Sequence, residues 1–571
     1  MNNENEEVVN DPEEKTEIIT SFFESLFSLE NVAPFSEIEP VKLETPFNSE
    51  EIKVCANKLR NNKSTGPDNI PAELIKEAPE IVFIEIAEIL NTAAETGDYP
   101  KEIKLGHLLP LPKPKKPKGP CKSLRPIILL SILRKILAVA VVQRIFDRTR
   151  EAISVSQAAY SPGRGASELI LSFKLLAEKA ITSQNYEFHI LMLDMSRAFD
   201  TISRASVINN LKEILNPDEI HLISLLIKDV TLQVKCDNHL GRKFTTNVGS
   251  PQGDCASPLL FIFELSKALE KSKVLIQSYS NPNAVKKIEN DHTYCKKIEE
   301  KQDKKHVFSI GQEYADDCSA GSTDSKLIDE FEEQVPVQLA DSNFDVNKEK
   351  TERFSISHNG DETWKNTLVL GSKLDTECDI SRRKQLASAA WSKYKILLQN
   401  KTLPLLLRVK YFEAFISSIF LHQCGIWTLT KKLEKQINVF QNNFLRWIVG
   451  IRYPKKISNT ELHKITNQRQ WSEVCRFRRL SLFGHTCRLP QEAPSRKALF
   501  EALRKVPKLA GGQKKTLIGL IKEDLKLIGK TIEKAIDIAK DKQQFQELVL
   551  SIMSRQRETQ QGEIKQLAVE T

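Results

Sequence analysis

The chain has 571 residues, 40% of them apolar and 28% charged, with a formal net charge of +8. That length exceeds what one hydrophobic core supports, so two to four domains are expected, and the composition excludes wholesale disorder. Ten cysteines without framework spacing exclude a disulfide scaffold and read as reduced thiols of a soluble intracellular protein, and the longest apolar stretch, Ile127 to Val142, is broken by Arg134 and Lys135, short of the roughly 20 residues of a membrane span.

In chain order, Glu17 to Leu29 carries apolar residues at helical spacing. Asn48 or Ser49 caps a helix through Arg60, with Glu50 and Glu51 favourable in its first turn. Lys63-Ser64-Thr65-Gly66-Pro67-Asp68 reads as a turn, followed by helices over Ala72 to Ala78 and Ile81 to Thr96. Prolines 110, 112, 114 and 117 forbid a helix and favour an extended basic arm. Leu129 to Asp147 reads as a helix, Phe188 to Leu193 as a buried strand, and Val307 into Tyr314 as a second strand with Asp316-Asp317 at its turn. Leu259 to Leu269 is helix-like, and Asp254 or Ser257 is its expected cap. Residues 272–305 look like an insertion, and helical patterns dominate from Trp391 onward.

Charge is segregated. No acidic residue occurs from Ile103 to Phe146, which holds Lys113, Lys115, Lys116 and Arg125, or from Ile380 to Phe412, which holds Arg382, Arg383 and Lys384. Such surfaces suit a polyanion, because each neutralised phosphate releases a counterion; the blander reading is a pair of solvated faces.

Two aspartate clusters end apolar runs: Leu191-Met192-Leu193-Asp194 and Tyr314-Ala315-Asp316-Asp317. Mg²⁺ is held by one or two carboxylates plus substrate phosphates, and two such ions serve an in-line phosphoryl displacement. Adjacent strand residues point to opposite faces, so Asp316 rather than Asp317 is expected to face the metals. The plainer alternative is a solvated turn. Phe199, five residues after Asp194, is placed to lie against a nucleotide sugar and exclude a 2′-hydroxyl, although a core position is the commoner fate of a Phe. In Gly249-Ser250-Pro251-Gln252-Gly253-Asp254 the glycines permit close approach of backbone to a ligand, and Gln252 offers a donor and an acceptor. Arg125 suits a triphosphate through bidentate contacts, and Lys350 is a candidate general acid toward leaving pyrophosphate.

Together, in this order, these segments resemble the reverse transcriptases of non-LTR (LINE-type) retrotransposons. Lys63 to Pro71 resembles the motif before the fingers. Pro110 to Pro114 with Leu124 to Ile127, and Gln157 to Ser167, resemble finger motifs. The Asp194, Pro251-Gln252-Gly253 and Tyr314 to Asp317 segments resemble palm motifs, continued by Asn347 to Glu352 and Leu368 to Gly371. Phe440 to Gly450 looks like the thumb helix. Arg479 to Leu489, with Phe483-Gly484-His485, resembles a stretch of RTE-like elements.

The resemblance implies an α+β right-hand polymerase: an N-terminal linker and helix (1–48), fingers and pre-palm (49–187), a palm with an antiparallel sheet (188–380), a thumb (381–460) and a helical extension (461–571). It implies RNA-templated DNA synthesis from a primer 3′-hydroxyl, with Asp194, Asp316 and Asp317 on Mg²⁺ or Mn²⁺. Phe199 would be the sugar gate, Arg125 a triphosphate ligand, and Gln252 with Gly253 would lie beside the nascent pair. RNA template, DNA primer or nicked target and dNTPs are the implied partners, in nucleus or cytoplasm. The upstream endonuclease of such elements is missing from the sequence, so a separate endonuclease is expected to supply nicks. The strand after Asp317 is small and polar where the family has an apolar one, which puts the hairpin in question. A truncated copy that only binds RNA, and a maturase-like protein, are the alternatives. Cys475, His485 and Cys487 match no zinc spacing.

Overall fold

The computed structural model describes residues 9–29, 41–97, 100–114, 116–270, 307–507 and 514–554; the expected insertion at 272–305 and Lys115 lie outside them. Its strands are β1 (Leu105–Pro112), β2 (Leu124–Leu130), β3 (Phe188–Leu193), β4 (Met195–Ser196), β5 (Val230–Cys236), β6 (His239–Thr246), β7 (Ser309–Tyr314), β8 (Asp317–Ser322), β9 (Asp345–Val346) and β10 (Glu352–Ile356). The chain divides into two compact units interleaved in sequence: 1–160, 193–274 and 330–351 form the first, and 161–192, 275–329 and 352–571 the second.

The first unit is built on a sheet of order β2-β1-β5-β6. The proline stretch expected as an extended arm is β1. It pairs antiparallel with β2, Pro110 opposite Pro126, and parallel with β5 only over Leu105 to Leu108. Proline has no N–H for a ladder, so it is tolerated here because β5 has already diverged. The helix expected from Leu129 starts instead at Ile132, because Leu129 and Leu130 still pair with β1; Ser131 Oγ accepts from Arg134 N at 3.3 Å and caps it. The first helix is Pro12–Phe27, begun earlier than its apolar pattern by Asp11, whose carboxylate accepts from Glu14 N at 2.9 Å. It buries Ile19, Phe23, Leu26 and Phe27 against Leu108, Ile128, Val230, Leu232 and Phe244. Each such side chain contributes about 1.5–3 kcal/mol on burial. The Lys63 to Asp68 turn docks on this sheet: a Cβ at Gly66 would lie 2.2 Å from the Leu130 carbonyl oxygen, and Asp68 Oδ2 accepts from Ile132 N at 2.6 Å.

The second unit holds a sheet of order β10-β3-β8-β7. β10 pairs antiparallel with β3, Glu352 opposite Met192, and β7 with β8, Tyr314 opposite Asp317. The polar strand after Asp317, a source of doubt from sequence, forms β8. Its small residues are required: a Cβ at Gly321 would sit 2.4 Å from Phe188 Cζ and 3.3 Å from the Phe173 ring. That contact sets the start of β3 against the far end of β8, so the end of β3 points toward the β7–β8 turn. Helices cover the rest. The expected boundary at residue 381 falls inside the helix Thr376–Leu398, and the expected thumb helix spans Lys431–Val449.

Candidate active site

In the first unit the chain leaves β3 and enters Asp194. Its carboxylate accepts from Lys350 Nζ at 2.6 Å, its carbonyl accepts from Asn347 N at 2.8 Å, and β4 then pairs with β9. Lys350 is thus brought to Asp194 by a short ladder, and the ammonium is about half exposed beside a carboxylate about one-third exposed. Arg197 takes a left-handed backbone (φ +55°), and its guanidinium lies 5.4 Å from the Phe22 ring of the first helix.

Phe199 is half-buried and stacked on buried Phe261 at 3.8 Å between centroids. It is partly a core aromatic and partly open to the site. Asp200 is 7% exposed. Gln252 Nε2 donates to Asp200 Oδ1 at 2.7 Å, Ser250 N to Phe199 O at 2.9 Å, and Gly249 N to Ile202 O at 3.0 Å. The 249–253 loop is therefore knitted to the turn after Asp194. This corrects the reason given for the glycines. A Cβ at Gly249 (φ +78°) would meet the Asp200 carbonyl oxygen at 2.4 Å, and one at Gly253 (φ +126°) the Ile128 carbonyl oxygen at 2.5 Å. Both are needed for backbone packing.

Burial pushes the Asp200 carboxyl up from 3.8 to about 6, opposed by the Gln252 bond and the charges of Lys113, Arg197 and Arg125. Burial also pulls the Lys113 ammonium below its usual value; Asp200 opposes this, and Arg197, Arg125 and Lys350 add to it. Lys113, Arg125, Arg197 and Lys350 thus share one electropositive neighbourhood in this unit. A carboxyl raised in the fold stabilises fully below 3.8, and that contribution is lost as pH rises through about 6. Asp200→Asn should therefore unfold later than the parent chain at pH 7.5 by at most about 3 kcal/mol, and match it near pH 4. Urea melts at the two pH values check this; an equal difference at both would refute it.

The helix Ser257–Ala268 is entered through Ala256 without a side-chain cap, so neither Asp254 nor Ser257 is the cap expected from sequence, and Asp254 braces the preceding turn instead. It accepts from Ala256 N at 3.1 Å and pairs with buried Arg134 at 3.1 Å, while Arg134 also reaches the Leu226 carbonyl. Arg204 clamps the approach to the loop through the Gly249, Thr246 and Val248 carbonyls, and burial lowers its guanidinium to about 9. Sequence reasoning missed Asp200, Arg197, Arg204 and the pairing of Arg134. The available signal was a charge set inside apolar runs, as in Ala198-Phe199-Asp200 and Ile132-Leu133-Arg134.

In the second unit Ala315 (φ +54°) and Asp316 form the turn of the β7–β8 hairpin, and Asp317 opens β8. Both aspartates are exposed. The premise that they are neighbours on one strand does not hold, because Asp316 sits in the turn itself. A left-handed alanine is a strained backbone, costing on the order of 1–3 kcal/mol, and such strain gathers at functional sites.

In the second basic stretch Arg383 and Arg408 are buried and Arg382 and Lys384 half-buried, while Lys393, Lys395, Lys401 and Lys410 are exposed, so only the assignment of Arg383 to a nucleic acid surface is corrected. Arg383 is 5% exposed; it donates to the Gly371 carbonyl, to Ser372 Oγ at 2.9 Å and to His422, and pairs with Asp379. Arg382 donates to the Gly371 carbonyl at 2.9 Å, and buried Arg408 to that of Ile448. Lys384 reaches Gln436 at 3.4 Å. Gly371 is the second of two left-handed residues, after Leu370, in a tight hairpin, and these arginines satisfy its carbonyl. In the first stretch Lys113 is half-buried and Lys116 exposed. His485 is occupied by Glu168 at 2.9 Å, and among the described residues no group of three or more His, Cys, Asp or Glu is gathered for a metal. Nor, among them, is any helix long and apolar enough to cross a membrane.

Residues 112–374 match the family model described as reverse transcriptase (RNA-dependent DNA polymerase). The chain is similar to polymerases of mobile elements. The chain is 27% identical over 240 residues to the probable RNA-directed DNA polymerase from transposon BS of Drosophila melanogaster, covering 42% of this chain and 26% of that protein. To the RNA-directed DNA polymerase from mobile element jockey it is 26% identical over 294 residues, 48% and 32% of the two chains. To the X-element polymerase, also from Drosophila melanogaster, it is 22% identical over 441 residues, 74% and 46%. The chain thus spans about a quarter to a half of these curated relatives. Among solved structures, apo telomerase from Candida tropicalis aligns with 83% of this chain and 74% of that one at 14% identity and a TM-score of 0.37, too loose to carry an argument. The matched segment begins on the last residue of β1 and ends just before the helix Thr376–Leu398.

Proposed function

We propose that this chain is an RNA-directed DNA polymerase that extends a primer 3′-hydroxyl with deoxynucleotides, reading an RNA template. The observation that carries it is the reverse transcriptase match together with β3, which leads into Asp194 from a sheet whose β7–β8 turn holds Asp316 and Asp317.

The donors fit a hard cation. Asp194 already holds a positive charge, the Lys350 ammonium, and carboxylates few in number suit Mg²⁺, which keeps substrate phosphates among its ligands. Asp194, Asp316 and Asp317 would hold Mg²⁺, or Mn²⁺, which supplies charge stabilisation on the attacking and leaving oxygens. Arg125 and its cationic neighbours bind the triphosphate. Phe199, braced by Phe261, blocks a 2′-hydroxyl. Gln252 lies beside the nascent pair. Lys350 moves from Asp194 to donate its proton to the leaving pyrophosphate. Lys113, Lys115 and Lys116 track a nucleic acid backbone, and a DNA 3′ end serves as primer. The RTE-like subtype is supported by the Phe483-Gly484-His485 stretch, which argues against a maturase.

Primed poly(rA) should support dTTP incorporation with Mg²⁺. Template binding with no incorporation under Mg²⁺ or Mn²⁺ would favour the RNA-binding alternative. In the active chain Phe199→Val should admit ribonucleotides; unchanged sugar choice would remove the gate assignment.

A further inference from the structure

Asp200 takes part in none of the steps above, yet it is among the most confined carboxylates of the first unit. Its side chain is buried. Its carbonyl oxygen is covered by Gly249, which has no room for a Cβ. Its Oδ1 accepts from Gln252 Nε2 at 2.7 Å, in a loop whose next carbonyl contact, Gln252 O to Ile128 N at 2.8 Å, fixes the backbone. The Gln252 backbone is thus held by β2 and its amide by Asp200. A primary amide has two ends, a donor and an acceptor, and nothing in its own torsion chooses between them. A carboxylate accepts only, so it selects the NH₂ end and leaves Oε1 directed elsewhere.

We infer that Asp200 is a positioning residue, fixing the orientation of the Gln252 amide and thereby setting the affinity for incoming nucleotide rather than the rate of its transfer. The inference rests on the polymerase reading, with Gln252 beside the nascent pair. Asp200 does not touch the reacting atoms and is separated from Asp194 by the Arg197 turn. The charged groups facing it are Lys113, Arg197 and Arg125. None of them replaces Gln252 as its hydrogen-bond donor in this arrangement.

The test uses the full chain on oligo(dT)-primed poly(rA), comparing Asp200→Asn, Asp200→Ala, Gln252→Ala and the Asp200→Ala/Gln252→Ala pair. Each alanine variant should raise KM for dTTP about tenfold, the scale of one hydrogen bond to a charged group, with kcat nearly unchanged. The double variant should be no worse than the poorer single one, because the two residues act as one device. Asp200→Asn keeps the side-chain shape and guards against loss of fold. In the parent, KM should fall as pH rises through about 6, where the carboxylate forms, and in Asp200→Asn it should stay flat. Additive losses, equal losses in kcat and kcat/KM, or matching pH profiles in parent and Asp200→Asn would overturn the inference alone. A parent chain that incorporates nothing overturns the polymerase reading and this inference with it.

Discussion

Asp194→Asn should lower deoxynucleotide incorporation by more than about a hundredfold, since even groups one step removed from a metal typically cost 10–100-fold when replaced. The substitution keeps size and shape and removes the charge that Lys350 now neutralises at 2.6 Å. Its effect on stability should be small. An ion pair this open to solvent contributes no more than about 1 kcal/mol. RNA binding should survive, as it should in Asp316→Ala. Primer extension and filter binding on the same preparations separate the two effects. Undiminished extension by the Asp194→Asn chain would remove Asp194 from the proposed metal ligands.

The largest effect on stability is expected from Arg134→Met. Arg134 and Asp254 are both buried, and their 3.1 Å pair joins the helix Ile132–Ala152 to the loop that carries Gln252. Removing the guanidinium strands a carboxylate in a dry interior, which costs about 3–5 kcal/mol. Replacing both partners by apolar side chains, as in Arg134→Met/Asp254→Leu, should recover most of that loss, because the desolvation of two charges is avoided together. Denaturant midpoints of the two variants decide the matter. A single variant as stable as the parent would mean that the pair is solvated.

Much of the arrangement was readable beforehand, for identifiable reasons. Phe188 to Leu193 is apolar except for His189, so a buried strand was the natural reading, and Asp194 had to fall at its end. Asn48 was recognisable as a cap because Glu50 and Glu51 follow it, and its side chain accepts from Glu51 N at 2.9 Å. The errors share one cause: sequence shows charge but not what the charge faces. Arg382 and Arg383 looked like an exposed basic pair, and both instead satisfy one hairpin carbonyl. Gly253 looked like a ligand glycine, and its neighbour is the Ile128 carbonyl, far away in sequence. Asp200 was missed because burial of a carboxylate depends on contacts across some fifty positions, which no local pattern encodes. Leu129 and Leu130 fit a helix or a strand equally well, and only pairing with β1 decides between them.

β3 has a consequence for synthesis on the ribosome. Both of its edges are closed by strands made much later, β8 and β10. A ribosome adding ~5–20 residues per second needs roughly 6–25 s to travel from Leu193 to Asp317. During that wait a mostly apolar ribbon hangs from the nascent polypeptide with two bare rows of amides and carbonyls, a template for wrong partners. Yield of the native protein should therefore depend on chaperone supply and translation speed more than on the final stability of the fold.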